Sequence, residues 1–108
     1  MKKQLSKSLI ERFSRQIILK NIGILGQKKI LSSNVLIVGV GGLGSPAAEF
    51  LTRSGIGKLG IIDYDKVSLS NLHRQSLYET SHVGKSKVQV IKKILNRINP
   101  NTKVQTYN

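Results

Sequence analysis

The sequence predicts an α/β protein whose sheet is mostly parallel and flanked by helices, and three observations carry that prediction. An apolar run, VLIV at 35–38, leads straight into GVGGLG at 39–44 and then into a helical pattern. A second apolar run, LGII at 59–62, follows that helix. A strongly striped segment at 83–98 then precedes an alternating one at 103–107. Each gap between strand-like runs holds a helix, as parallel strands require of their crossovers.

Leu5, Leu9, Phe13 and Ile17 recur every four residues, with Ile10 and Ile18 beside them, which predicts one opening helix to about Lys20. Asn21 and Gly23 interrupt it. Ile22, Leu25, Ile30 and Leu31 predict a second short helical piece, broken by Gly26 and ending at about residues 32–34. The continuous β-branched run at 35–38 reads as a strand buried on both faces. Residues 39–44 make a tight turn, and 45–54 a helix with Pro46 tolerated in its first turn and Gly55 as its stop. Ala47, Ala48, Phe50 and Leu51 are its apolar members.

Residues 59–62 form the second strand. Residues 63–79 hold short polar runs and isolated apolar side chains; a long ordered loop of this kind is more often functional than idle. The helix predicted over 83–98 carries the stripe Val88, Ile91, Ile94, Leu95 and Ile98, and Asn99-Pro100-Asn101 ends it. Residues 103–107 alternate as a third strand. The whole is a Rossmann-like βαβαβ unit, half of a doubly wound sheet, so the 108 residues are expected to be a fragment, a truncated product or one piece of a larger assembly. Residues 1–34 read as an N-terminal helical extension and 35–108 as the half-domain.

Composition narrows the class. There is no cysteine, which removes disulfides and thiolate zinc sites and fits a reducing compartment, the cytoplasm or a plastid stroma. No run of 18 apolar residues could span a membrane, and MKKQLSKSLIERF lacks the uninterrupted apolar core of a secretion signal. Lys and Arg total 18 against 5 acidic residues, a formal charge of +13. Such a balance attracts anionic partners. The cations are scattered, from Lys2, Lys3 and Lys7 to Lys92, Lys93 and Arg97, without the aromatic interleaving or recognition helix of a sequence-specific nucleic-acid binder.

The chemistry concentrates at the first turn. In a strand–turn–helix, Gly39 permits the turn, Gly41 lets a phosphate approach bare backbone, and Gly44 lets helix and strand pack closely; Gly42 adds openness. The helix N-terminus offers free N–H donors and a positive dipole end. Asp63, at the end of the second strand, stands where an acid meets ribose hydroxyls. Asp65 completes a D-x-D pair that either binds Mg²⁺ or structures the loop. In SLSNLHRQ (68–75), Asn71 and Arg74 are one helical turn apart, and an Arg fork suits phosphate geometry. Lys85 and Lys87 stand where the last helix is expected to begin. NAD and ATP both fit the glycines and Asp63, but a triphosphate is better matched by the added cations.

Other chemistries find less support. His73 and His82 have no further ligand to make a metal site with, and none is expected. Ser45 lacks the G-x-S-x-G elbow of a hydrolase, and no G-K-S/T follows the glycines as in a P-loop.

Taken together, RFSRQIIL (12–19), GILGQKKI (23–30), VLIVGVGGLGSP (35–46), GIGKLGIIDYDKVSLSNLHRQSLY (55–78), VGKSK (83–87) and NRINP (96–100) resemble, in order and spacing, the N-terminal half of the ThiF/MoeB/HesA family, relatives of ubiquitin-activating enzymes. The resemblance implies ATP-dependent adenylation of the C-terminal glycine of a small ubiquitin-like sulfur-carrier protein: the carboxylate attacks the α-phosphorus, pyrophosphate leaves, and the acyl-adenylate awaits a sulfur donor. It also implies roles for residues. The turn through Gly41 underlies the phosphates, Asp63 binds ribose, and Asn71, Arg74 and Lys87, rather than Lys85, grip the triphosphate. Arg15 matches an arginine that crosses a dimer interface into the neighbour's site, and Gln75 lies in the same motif. Family members are longer, and their Mg²⁺-binding aspartate, remaining strands and carrier groove have no counterpart here. The 108 residues alone are therefore expected not to adenylate; a dimerising or binding remnant and an NAD- or FAD-binding protein are the alternatives.

Overall fold

The computed structural model describes residues 5–107, so Lys2, Lys3 and the outermost residues of the expected 1–34 and 35–108 segments lie outside it. Its elements run α1 (Lys7–Arg12), α2 (Ser14–Ile17), α3 (Gly23–Leu31), β1 (Asn34–Val38), α4 (Gly44–Ser54), β2 (Lys58–Ile62), short 3₁₀ turns at Leu69–Asn71 and Thr80–His82, α5 (Lys87–Ile98) and β3 (Lys103–Tyr107). The three strands are parallel, in the order β1-β2-β3, with Val35, Leu59 and Val104 side by side.

The core lies between this sheet and the two crossover helices. Leu59 and Ile61 of β2 and Val104 of β3 face Ala48 of α4 and Val88, Ile91 and Leu95 of α5, all buried. The stripe read from the sequence is thus the packed face of α5, with Ile94 and Ile98 at its margin. Buried polar bonds tie the far ends of these helices together: Asn99 Nδ2 donates to the Thr52 carbonyl at 3.0 Å, and Thr102 Oγ1 to that of Ile56 at 2.8 Å.

Several sequence expectations need correction. The single opening helix is two pieces, because Phe13 leaves helical geometry (φ −106°, ψ 16°) and buries its ring against Gly55. Gln16 and Gln27 cross over the same place, each donating to the Ser54 carbonyl at 3.0 Å. Burial of one phenyl ring and these two bonds outweigh the backbone bonds of a straight helix. Gly26 does not break α3, since its N–H donates to Ile22 at 2.8 Å and the helix runs on to Leu31.

The last helix starts at Lys87 rather than residue 83. Residues 84–86 are engaged instead with the loop after β2, where Gly84 N–H donates to the Val67 carbonyl and Val67 N–H to that of Lys85, both at 2.8 Å. β1 is not buried on both faces. Leu36 and Val38 are 56% and 76% exposed, and Phe50 on α4 is 64% exposed. Both crossover helices pack on one side of the sheet. On the other, residues of all three strands, among them Leu36, Gly60 and Tyr107, line a shallow concavity of about 250 Å³.

Candidate nucleotide site

Strand β1 ends at Val38 and hands the chain to the glycine turn that opens α4. Gly39 takes φ +89°, a left-handed conformation that favours glycine, while its N–H donates to the Ile62 carbonyl of β2 at 2.7 Å. A Cβ on Gly44 would overlap the Gly39 carbonyl. These two glycines are therefore demanded by the chain itself. Gly41 and Gly42 are not: a Cβ on Gly41 would meet nothing nearer than Gln75 Nε2 at 3.5 Å, and one on Gly42 nothing within 4 Å. What their bare backbone leaves is room. Among the described residues, the N–H groups of Gly41, Gly42, Leu43 and Gly44 make no hydrogen bond, which leaves four donors without a partner at the positive end of an 11-residue helix.

The residue inside the turn, Val40, is fixed on both sides. Its N–H donates to Asp63 Oδ2 at 2.9 Å. Its carbonyl accepts from the Tyr78 hydroxyl at 2.8 Å and from the Ser45 hydroxyl. Burial pushes the Tyr78 phenol up to about 12; the Ser45 hydroxyl lowers it a little and the Asp63 charge raises it further. Tyr78 is thus a donor throughout the physiological range.

From Asp63 the network continues to the last helix. Oδ1 accepts the Asp65 N–H at 2.8 Å, and the Asp65 carbonyl accepts the Lys87 N–H at 3.1 Å. Asp65 itself is exposed, and it takes part in this chain of bonds through its backbone N–H and carbonyl. Lys87 is only 5% exposed, yet the one ion pair among the described residues joins Arg53 to Glu49 elsewhere. A lysine whose side chain is this largely covered, with no carboxylate paired to it among the described residues, leaves its charge available to an arriving anion. Gln75 is 3% exposed, its amide lies beside Gly41, and its Oε1 has no partner.

The remaining candidates are placed differently. Asn71 is half-buried, and its carbonyl accepts the N–H groups of Arg74 and Gln75 at 3.1 and 3.0 Å. Arg74 is exposed, with its guanidinium on its own loop, 3.3 Å from the Ser70 carbonyl and 3.3 Å from His73 Nε2. Arg15 is exposed on α2, and its neighbour Gln16 is bound to Ser54 at the last residue of α4. That end is about 15 Å along the helix from the glycine turn. Within one chain, then, Asp63 and Gln75 meet the turn directly and the backbones of Asp65 and Lys87 are bonded to it through Asp63, whereas Arg15 lies at the opposite end of α4. Lys85 is exposed in the segment before α5.

The histidines serve their own turns: His73 Nδ1 lies 3.0 Å from the Ser70 carbonyl, and His82 Nδ1 accepts the Glu79 N–H at 2.8 Å. Among the described residues, no three His, Cys, Asp or Glu side chains stand together, and no helix is long and apolar enough to cross a membrane. The roles of Ser45 and Tyr78 carry no signal in the sequence, because both hydroxyls act on a backbone carbonyl, which has no signature in side-chain spacing.

Known proteins carry the same pattern. The adenylyltransferase and sulfurtransferase MOCS3 of Anopheles gambiae is 46% identical over 104 residues, a match that takes in 96% of this chain and 24% of the mosquito protein. The chain therefore spans about a quarter of the length of the curated relatives it matches. Among solved structures, PaaA superposes with a TM-score of 0.87 at 39% identity, covering 99% of this chain and 35% of that one. The E. coli tRNA N6-threonylcarbamoyladenosine dehydratase TcdA, solved in complex with ATP, superposes with a TM-score of 0.83 at 31% identity over 94% of this chain and 41% of its own. With residues 13–108 matching the family as a continuous span, the chain belongs to the ThiF family.

Proposed function

We propose that this chain is the nucleotide-holding part of an ATP-dependent adenylyltransferase that activates the C-terminal glycine of a small ubiquitin-like sulfur-carrier protein. The observation that carries the reading is Lys87: a largely covered lysine with no acidic partner among the described residues, whose backbone is tied through Asp65 and Asp63 to a turn with four N–H groups that make no hydrogen bond there. Family membership, the ATP-bound relative and the adenylyl- and sulfur-transfer named for the mosquito protein support the same direction.

In this reading the phosphates sit over Gly41 and Gly42, whose lack of side chain the protein's own packing does not require. Asp63, half-buried and holding two amides, keeps lone pairs for ribose hydroxyls. Attack of a carboxylate on the α-phosphorus brings two anions together, and Lys87 with the loop N–H groups lowers that repulsion. Loss of one such donor costs about 3 kcal/mol in a transition state. Asn71 and Arg74 join the triphosphate when their loop closes on it. Arg15, remote from the turn in its own chain, serves the site of a second copy in a homodimer. Mg²⁺ would neutralise phosphate charge and take its protein ligand from outside these 108 residues.

Titration with ATP, adenosine and NAD tests the reading. ATP should bind tightest and Lys87→Met should lose most of that preference; tighter binding of NAD overturns it. Carrier-dependent pyrophosphate exchange should be absent from the 108-residue chain alone, and exchange above background would refute the expectation that it needs a further polypeptide.

A further inference from the structure

The Val40–Gly41 peptide presents a problem that the nucleotide reading, on which this inference rests, leaves open. Its C=O and N–H point in opposite directions because the peptide is planar and trans, and no cis bond occurs among the described residues. Rotating that plane alters ψ of Val40 and φ of Gly41, and a glycine accepts either sign of φ. The glycine that admits a phosphate therefore also lets the peptide turn over. Were it to do so, a carbonyl oxygen would replace the N–H at the anion's door.

Two hydroxyls oppose that rotation. Ser45, fully buried in the first turn of α4, and Tyr78, 4% exposed at the end of the loop that carries Asn71, Arg74 and Gln75, both donate to the Val40 carbonyl. Asp63 holds the preceding peptide through the Val40 N–H. With the carbonyl held inward by two donors, the Gly41 N–H is held outward, where it has no partner among the described residues.

We propose that Ser45 and Tyr78 are positioning residues that keep the Val40–Gly41 peptide in its anion-binding orientation, Tyr78 thereby linking the 63–86 loop to the phosphate cradle. Neither hydroxyl is directed at the ligand. Their contribution should fall on phosphate recognition and leave recognition of the nucleoside unchanged.

The full chain and its Ser45→Ala, Tyr78→Phe and doubly substituted forms would be titrated with ATP and with adenosine, following the Gly41 amide resonance and binding heat. Each single change is expected to weaken ATP several-fold and the pair about tenfold or more, with adenosine affinity within twofold. Equal losses for ATP and adenosine would mean a merely structural role and overturn the proposal, as would unchanged ATP affinity in the double variant. A wild-type chain that binds ATP no more tightly than adenosine would instead overturn the underlying nucleotide reading, and this inference with it.

Discussion

Asp63 accepts the amide of Val40 at 2.9 Å through one carboxylate oxygen and the amide of Asp65 at 2.8 Å through the other. One side chain at the end of β2 thereby sets both the glycine turn that follows β1 and the segment that leads toward α5. Asp63→Ala should leave the Val40 amide without its acceptor and cost about 2 to 3 kcal/mol of stability, measured by urea unfolding, besides weakening ATP. Asp63→Asn keeps an acceptor for one amide and should recover part of that stability.

Lys87 predicts the opposite balance. Its side chain is largely covered and has no carboxylate partner among the described residues, so replacing it by the similarly long, uncharged Met should leave the thermal midpoint unchanged or raise it. The same substitution should lower ATP affinity more than tenfold. A lower midpoint together with intact ATP binding would mean that Lys87 supports the fold and not the ligand.

Tyr78 gives the stability a high-pH limit. Its folded pKa, raised to about 12 from 10.0, means that the unfolded chain loses this proton first as pH rises. The stability it contributes is fully present below pH 10 and is lost between there and about pH 12. Denaturant midpoints across that window should fall less steeply for Tyr78→Phe than for the wild type. Of the three tyrosines, one should ionise late in a spectrophotometric titration and be missing from that variant.

The two faces of the sheet should respond unequally to substitution. Ile61→Ala, at a fully buried position, should cost about 2 to 5 kcal/mol in chemical unfolding. Val38→Thr, on the face where Val38 is 76% exposed, should change stability by less than about 1 kcal/mol. Light scattering should fall for the latter, since an exposed apolar sheet face favours self-association.

Much of this was legible in the chain's own pattern. Strands at VLIV, LGII and 103–107, the glycine turn and the α5 stripe are local features, because a strand repeats every two residues, a helix every 3.6, and a left-handed turn needs glycine within a few positions. Lys87 is chosen over Lys85 only by the family resemblance, but Gly39, Gly44 and Asp63 could be named for the same reason. Their spacing follows from strand, turn and helix lengths.

Tertiary structure decided what depends on neighbours distant in sequence. Phe13 breaks its helix to reach Gly55, Leu36 and Val38 stay exposed because both crossover helices pack on the other face, and residues 84–86 pair with the loop after β2 instead of starting α5. Arg74 turns onto its own loop, and Tyr78 reaches across 38 residues to a carbonyl. Periodicity determines which way a side chain faces along its own element, but what stands opposite is set only when the elements pack, and in this protein that packing selects the orientation of the peptide at the centre of the site.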